Sequence, residues 1–275
     1  MIKKLVTILV LSAMTLVPSH RSFAGKGSGP GGGTVQFRLG DLKLCITEIS
    51  PDGDYSLQFS NGEQVLITGE CAFKTHEPKT FRNMPLPDCR TLMTYCFSGG
   101  AHCCTTLFIA TECGPGRSLD MVDLAHTNGE VKLAVADGAL GKMIKVHDWQ
   151  FAYYGTEDSQ IQFSFADSPA MTRLLVFDNG HWRPDRIGEF SQFYSRLLRQ
   201  TMHAARVSDR KGDTELTASL AIKAAYYCLM SGKPVEKAAE VLSQLFPIKW
   251  RPESGKIIQD IHHAASEFNP VEVVR

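Results

Sequence analysis

The strongest constraint on how this chain can fold is a change of rhythm at Pro184. From Thr34 to about Arg183 apolar residues alternate with polar ones in short runs, and beyond Pro184 they recur at helical spacing. Val35-Phe37-Leu39 and Leu42-Leu44-Ile46 alternate around Gly40-Asp41. Tyr55-Leu57-Phe59 and Val65-Ile67 alternate again, bracketed by Asp52-Gly53 and Asn61-Gly62. Period-two alternation buries one face of a strand, and Asp-Gly or Asn-Gly supplies the backbone conformations that tight hairpin turns need. Residues 74–88 break the pattern and predict a loop. Strands are predicted again over 91–96, 103–111, 131–135, 160–165 and 173–177, the last before an Asp178-Asn179-Gly180 turn.

After Pro184, helices are predicted over 189–206, 214–230, 235–246 and 254–268. Asp213 suits the cap of the second, Gly232 its close, and Pro234 the first turn of the third. Leu216, Leu220, Ala224, Tyr227 and Met230 predict an apolar stripe on the second helix. The fold class is therefore α+β. A disulfide-stapled antiparallel β-meander or propeller-like region over 34–186 is followed by a helical region, 187–275, packed on it.

The first 24 residues read as a secretory signal. Lys3 and Lys4 form a basic start, Leu5 to Val17 an uncharged apolar run, and Ser22-Phe23-Ala24 a small-residue cleavage site. That run is shorter than the roughly 20 residues a spanning helix needs. Gly25 to Gly33 predicts a solvated leader. The expected location is periplasmic or secreted, with no transmembrane segment after cleavage. The chain's 29 basic side chains equal its 29 acidic ones, and a signal holding Lys3, Lys4 and Arg21 but no acid leaves a mildly acidic remainder. Overall charge therefore gives no reason to expect nucleic acid or an anionic membrane as a partner.

In an exported chain, eight cysteines predict disulfides first. A two-residue turn at Gly99-Gly100 would set Cys96 opposite Cys103, within bonding reach, and turn Cys104 to the other face. Cys89 with Cys113 would close the far end of that ladder, Cys45 with Cys71 would clasp the N-terminal meander, and Cys104 with Cys228 would tie helices to sheet. A vicinal Cys103–Cys104 bond is the main rival. Metal or thiol-redox chemistry at His102, Cys103 and Cys104 is a further alternative, although paired zinc cysteines are normally spaced by two to four residues.

Gly99-Gly100-Ala101-His102-Cys103-Cys104, followed by an acidic turn region, by Asp148-Trp149-Gln150-Phe151-Ala152-Tyr153 and by Ser164-Phe165-Ala166-Asp167-Ser168-Pro169, resembles a group of uncharacterised secreted bacterial proteins of the VCBS or FG-GAP type. The resemblance covers roughly residues 91–183 and implies propeller-related β structure. In that group the block is commonly followed by an Asp-x-Asp-Gly-Asp-Gly calcium loop. Here the matching stretch runs from Asp123 to Glu130, where Ala125 and Thr127 replace two ligands, so no calcium is expected.

No Gly-x-Ser-x-Gly, His-Glu-x-x-His or phosphate-binding glycine loop is present. His147, Asp148 and Asp167 are the acid–base candidates, with Glu157 and Asp158 nearby. Trp149, Phe151 and Tyr153, with Tyr154, are the candidates for a ligand groove. No cofactor is expected. The leading expectation is a non-catalytic binding or envelope-associated module; the alternatives are a hydrolase using His147, Asp148 and Asp167, and the His102/Cys103/Cys104 metal or redox protein.

Overall fold

The computed structural model describes residues 34–50, 53–72, 78–98, 105–125, 134–138, 141–155 and 161–274. The described residues belong to one compact unit. Its strands are β1 (Thr34–Leu39), β2 (Leu42–Glu48), β3 (Tyr55–Asn61), β4 (Gln64–Cys71), β5 (Lys79–Arg82), β6 (Cys89–Phe97), β7 (Thr105–Cys113) and β8 (Gly116–Asp123). Then follow β9 (Ala134–Gly138), β10 (Gly141–Asp148), β11 (Met171–Asp178), β12 (His181–Pro184) and, after the helices, β13 (Val271–Val273). The helices are α1 (Ser191–Arg210), α2 (Thr214–Met230), α3 (Val235–Leu245) and α4 (Ser254–Glu267).

The α+β expectation holds. The strands form three antiparallel sheets, ordered β1-β2-β3-β4, β13-β8-β7-β6-β5 and β12-β11-β10-β9. Among the described residues none closes into a barrel or a propeller. The three sheets and the helices form successive layers. Leu92, Phe108 and Ala110 of the five-stranded sheet pack against Leu44, Leu57 and Phe59 of the first. The alternate residues Met93, Tyr95, Leu107 and Ile109 pack against Ile144, Val146, Leu175 and Trp182 of the third. A sheet covered on both faces needs apolar residues at successive positions, which is why β6 and β7 read as nearly continuous apolar runs. The outer face of the third sheet meets α1 through Met143, Leu174, Val176 and Phe193.

The turns follow local chemistry. Asp178 pairs with His181, and Asn179 (φ 51°) and Gly180 (φ 86°) between them both take the left-handed values a type I′ hairpin turn demands. Helix α2 begins where predicted, with the Asp213 carboxylate accepting the Leu216 amide at 3.1 Å. It does not carry a narrow stripe. Leu216 is exposed, whereas Ala218, Ala221, Ile222, Ala224, Ala225, Tyr226 and Tyr227 are all buried. Helices α1, α3 and α4 surround α2, so an all-round apolar surface is required.

Three strand expectations are corrected. The predicted loop at 74–88 contains β5, which hydrogen-bonds to β6. The stretch 161–165 is not a strand: Ile161 and Phe163 are buried in the helical core, so their alternation records burial without a neighbouring ladder. The 98–104 connection is longer than a two-residue turn, because Phe97 pairs with Thr105 and Cys96 with Thr106. In that register Cys89 lies directly opposite Cys113, and the two are bonded with Cα atoms 4.4 Å apart. A turn confined to Gly99-Gly100 would shift the ladder by three residues and separate this pair.

The Cys89–Cys113 bridge is therefore as expected, and the others are not. Cys71 bonds Cys96, with Cα atoms 5.1 Å apart, instead of Cys45. Cys96 is consequently not available to Cys103. The Cys71–Cys96 bridge joins the end of the first sheet to the second, across the face where both bury their apolar residues. Cys45 and Cys228 carry free thiols, so neither the Cys45–Cys71 clasp nor a Cys104–Cys228 tie is present. Cys103 and Cys104 lie outside the described residues.

Candidate functional site

A cleft of about 410 Å³ opens where three elements end together. The end of β8 contributes Asp123, Leu124 and Ala125; the end of β10 and the turn after it contribute His147, Asp148, Trp149, Gln150 and Ala152; and the end of α4 and its link to β13 contribute Glu267, Phe268, Asn269 and Pro270. Pairing of β13 with β8 fixes the third wall against the first, through Val271 opposite Val122 and the Asp123 amide donating to the Pro270 carbonyl at 2.9 Å. Among these lining residues there are three carboxylates, one imidazole and no lysine or arginine.

Asp148 is the innermost of these groups, 1% exposed. Its Oδ1 accepts the Gln150 amide at 2.9 Å and its Oδ2 accepts the Tyr226 hydroxyl at 2.9 Å. Burial pushes its carboxyl above the ordinary value, and the two hydrogen bonds and the Arg173 charge pull it back only in part. Asp123 is exposed, and its Oδ1 accepts the amide of Ala125 at 2.7 Å.

Behind Asp148 lies a buried polar network. Arg173, 1% exposed, donates from Nε to Asp185 Oδ1 at 2.9 Å and from Nη2 to the Asp185 carbonyl at 2.7 Å. Its Nη1 donates to the Tyr226 hydroxyl at 2.7 Å, and its guanidinium lies 4.5 Å from the ring centre of Phe268. Tyr194 of α1 donates to Asp185 Oδ2 at 2.5 Å. Burial works to lower the Arg173 pKa, but Tyr226, Asp185 and Tyr194 around it outweigh burial and raise it, so the guanidinium stays charged. The network ties β11, α1, α2 and the residue after β12 to the inner wall of the cleft.

An acid–imidazole pair lies outside the cleft. Asp120 of β8, fully buried, holds the Nδ1 of His181 at 2.9 Å and accepts the Trp182 amide at 3.2 Å. Burial raises the Asp120 pKa, while the bonds from His181 and Trp182 lower it. The Trp182 indole Nε1 donates to Thr111 at 2.9 Å. His181 is 42% exposed and does not line the cleft.

The structure separates the residues that sequence placed together. His147 and Asp148 share the cleft, but Asp167 does not line it; its carboxylate accepts the Ser164 hydroxyl at 2.6 Å in the 164–168 turn. The aromatic cluster divides. Trp149 lines the cleft and stacks on Phe165 at 5.0 Å; Tyr153, 43% exposed, packs tilted against Phe165 at 5.7 Å; Phe151 is buried in the helical core. The Trp149 Nε1 is buried without a hydrogen-bond partner among the described residues. Glu157, Asp158, His102, Cys103 and Cys104 lie outside the described residues, as does Asn128 to Glu130 of the lost calcium loop. Among the described residues no three metal-ligating side chains cluster, and no helix is long and apolar enough to cross a membrane.

Arg173, Asp185, Asp120 and His181 escaped the sequence reading. The signal was present as charges in the wrong place: Arg173 interrupts Met171-Thr172-Arg173-Leu174-Leu175-Val176, and Asp120 sits between Leu119 and Met121. A charge inside an apolar strand needs a buried partner. No family model matches the chain, and no curated protein and no solved structure is significantly similar to it.

Proposed function

We propose that the chain is an exported, disulfide-stapled binding module that seats a small ligand in the Asp123/His147/Asp148/Trp149/Glu267 cleft and performs no reaction on it. The observation that carries this reading is the commitment of Asp148. Both of its carboxylate oxygens are already engaged by groups of the protein, Gln150 and Tyr226, on a wall anchored through Arg173. Such a carboxylate is a fixed acceptor rather than a base free to take a proton from substrate. Carboxylates accept hydrogen bonds and cannot donate them. A lining of three carboxylates without a lysine or arginine therefore favours a donor-rich ligand, such as a sugar or an amino-sugar fragment of a cell wall.

The hydrolase reading keeps one favourable observation, the shared position of His147 and Asp148 in the cleft. The discriminating experiment is a thermal-shift screen of the purified protein against sugars, cell-wall fragments and metals, repeated with Trp149→Ala. Binding predicts a ligand that raises the melting temperature of the parent, is recovered unchanged, and loses its effect in the variant. Recovery of cleaved ligand would overturn the non-catalytic reading, and no stabilising ligand in any class would overturn the cleft as the seat.

A further inference from the structure

Helix α1 carries a charge pattern unrelated to the cleft. Its sequence holds Arg196, Arg199, Arg206 and Arg210, with His203, and a single acid, Asp209. At 100° per residue these five basic positions fall within an arc of about 80°, running about 21 Å along the helix. Asp209 lies about 100° round from the middle of that stripe. The buried face, with Tyr194, Thr201, Ala205 and Ser208, is on the opposite side of the helix. All five basic residues are exposed, and no ion pair among the described residues involves any of them.

Some cations elsewhere are paired, while others, such as Arg82, Lys211 and Lys233, are exposed without an ion pair among the described residues. Arg90 and Arg117 meet Glu112, Arg183 meets Asp178 and Glu189, and Lys237 meets Glu240. Like charges at i, i+3 and i, i+4 sit about 5–6 Å apart and disfavour one another on an isolated helix. A row of four offset only by Asp209, at i+3 from Arg206, is thus a cost to the fold that an external anion would relieve. Arginine's planar fork matches phosphate oxygens bidentately.

We infer that the outward face of α1 is a docking surface for an anionic phospholipid bilayer. Charge complementarity carries the class of partner, a plane of phosphate groups. The stripe offers no apolar side chain for insertion, so attachment is electrostatic and peripheral. The choice of lipid over nucleic acid rests on the export reading, since an exported chain meets phospholipid headgroups and not nucleic acid.

The test is co-sedimentation of the purified protein with phosphatidylglycerol/phosphatidylcholine vesicles, against pure phosphatidylcholine vesicles and duplex DNA. The parent is expected to sediment with the anionic vesicles only and to be released by high salt. Each arginine near a charged surface is worth roughly a fivefold change in partition, so R196Q/R199Q/R206Q/R210Q is expected to lose at least about 100-fold. The pair variant R196Q/R199Q is expected to lose at least about 10-fold if the quadruple variant folds poorly. Both share the parent's N-terminus, so any binding by that segment cancels. Failure of the parent to bind anionic vesicles, binding by the variants equal to the parent, or capture of DNA in place of vesicles would each overturn the docking surface. Cell fractionation reads export separately, and a cytosolic location would fail that reading without touching the vesicle result.

Discussion

The two ends of this layered molecule are held by different chemistry. Between the first and second sheets the contacts are apolar, and the connection is covalent through Cys71–Cys96. Between the third sheet and the helices there is no disulfide among the described residues, and the buried Arg173–Asp185–Tyr194–Tyr226–Asp148 network bridges the layers instead. A disulfide acts mainly by restricting the unfolded chain, so its loss weakens the fold without leaving an unsatisfied group. A buried charge network has the opposite property: it contributes little over an apolar substitute while intact, and costs much when one member is removed. The covalent end should respond to reductant, and the helical end to loss of a single partner.

The largest expected effect is at the helical end. Arg173→Met leaves Asp185 buried without its counter-ion and should cost about 3–5 kcal/mol in urea unfolding. Arg173→Met with Asp185→Leu should recover part of that loss; no recovery would show that the charges are not coupled. Next is the covalent end. Bridges closing loops of 25 and 24 residues are worth about 3–4 kcal/mol each on the chain-entropy estimate. Cys71→Ser/Cys96→Ser should speed amide exchange in the first sheet and leave α2 protected, and equal acceleration in both would show that the two ends are not held differently.

A smaller loss, about 1–3 kcal/mol, is expected from Thr111→Val, which leaves the buried Trp182 indole N–H without its acceptor. Near-ultraviolet circular dichroism and urea unfolding would read it. The last effect is one of pH. Burial holds the Asp148 carboxyl above its ordinary value of 3.8, so the folded chain binds this proton more readily than the unfolded chain does. Stability from this group is therefore full below the unfolded value and is lost as pH rises through the folded one. Relative to Asp148→Asn, the parent should gain stability as pH falls through that window. A relative loss would mean that Asp148 is stabilised as the anion.

Much of the scaffold was legible because local chemistry agrees with it. Asp213 caps α2 and Asn179-Gly180 turns the last hairpin, each for a reason confined to a few residues. Register was not legible. Gly99-Gly100 is a good local turn signal, but the observed ladder places Cys89 against Cys113, a pairing of residues far apart in sequence. The cleft was half legible. His147, Asp148 and Trp149 come from one segment, whereas Asp123 and Glu267 reach it only because β13 returns after the helices to pair with β8. Three residues of weak alternation, Val271–Val273, gave no sign of that return.

The sheets are stapled by two defined bridges, and disulfide mapping tests this most directly. Protein recovered from the envelope fraction of expressing cells would be alkylated at once and digested without reductant. The expected peptides are Cys71 linked to Cys96 and Cys89 linked to Cys113, with Cys45 and Cys228 alkylated. Linkage of Cys45 to Cys71, or alkylation of all of these cysteines, would contradict it.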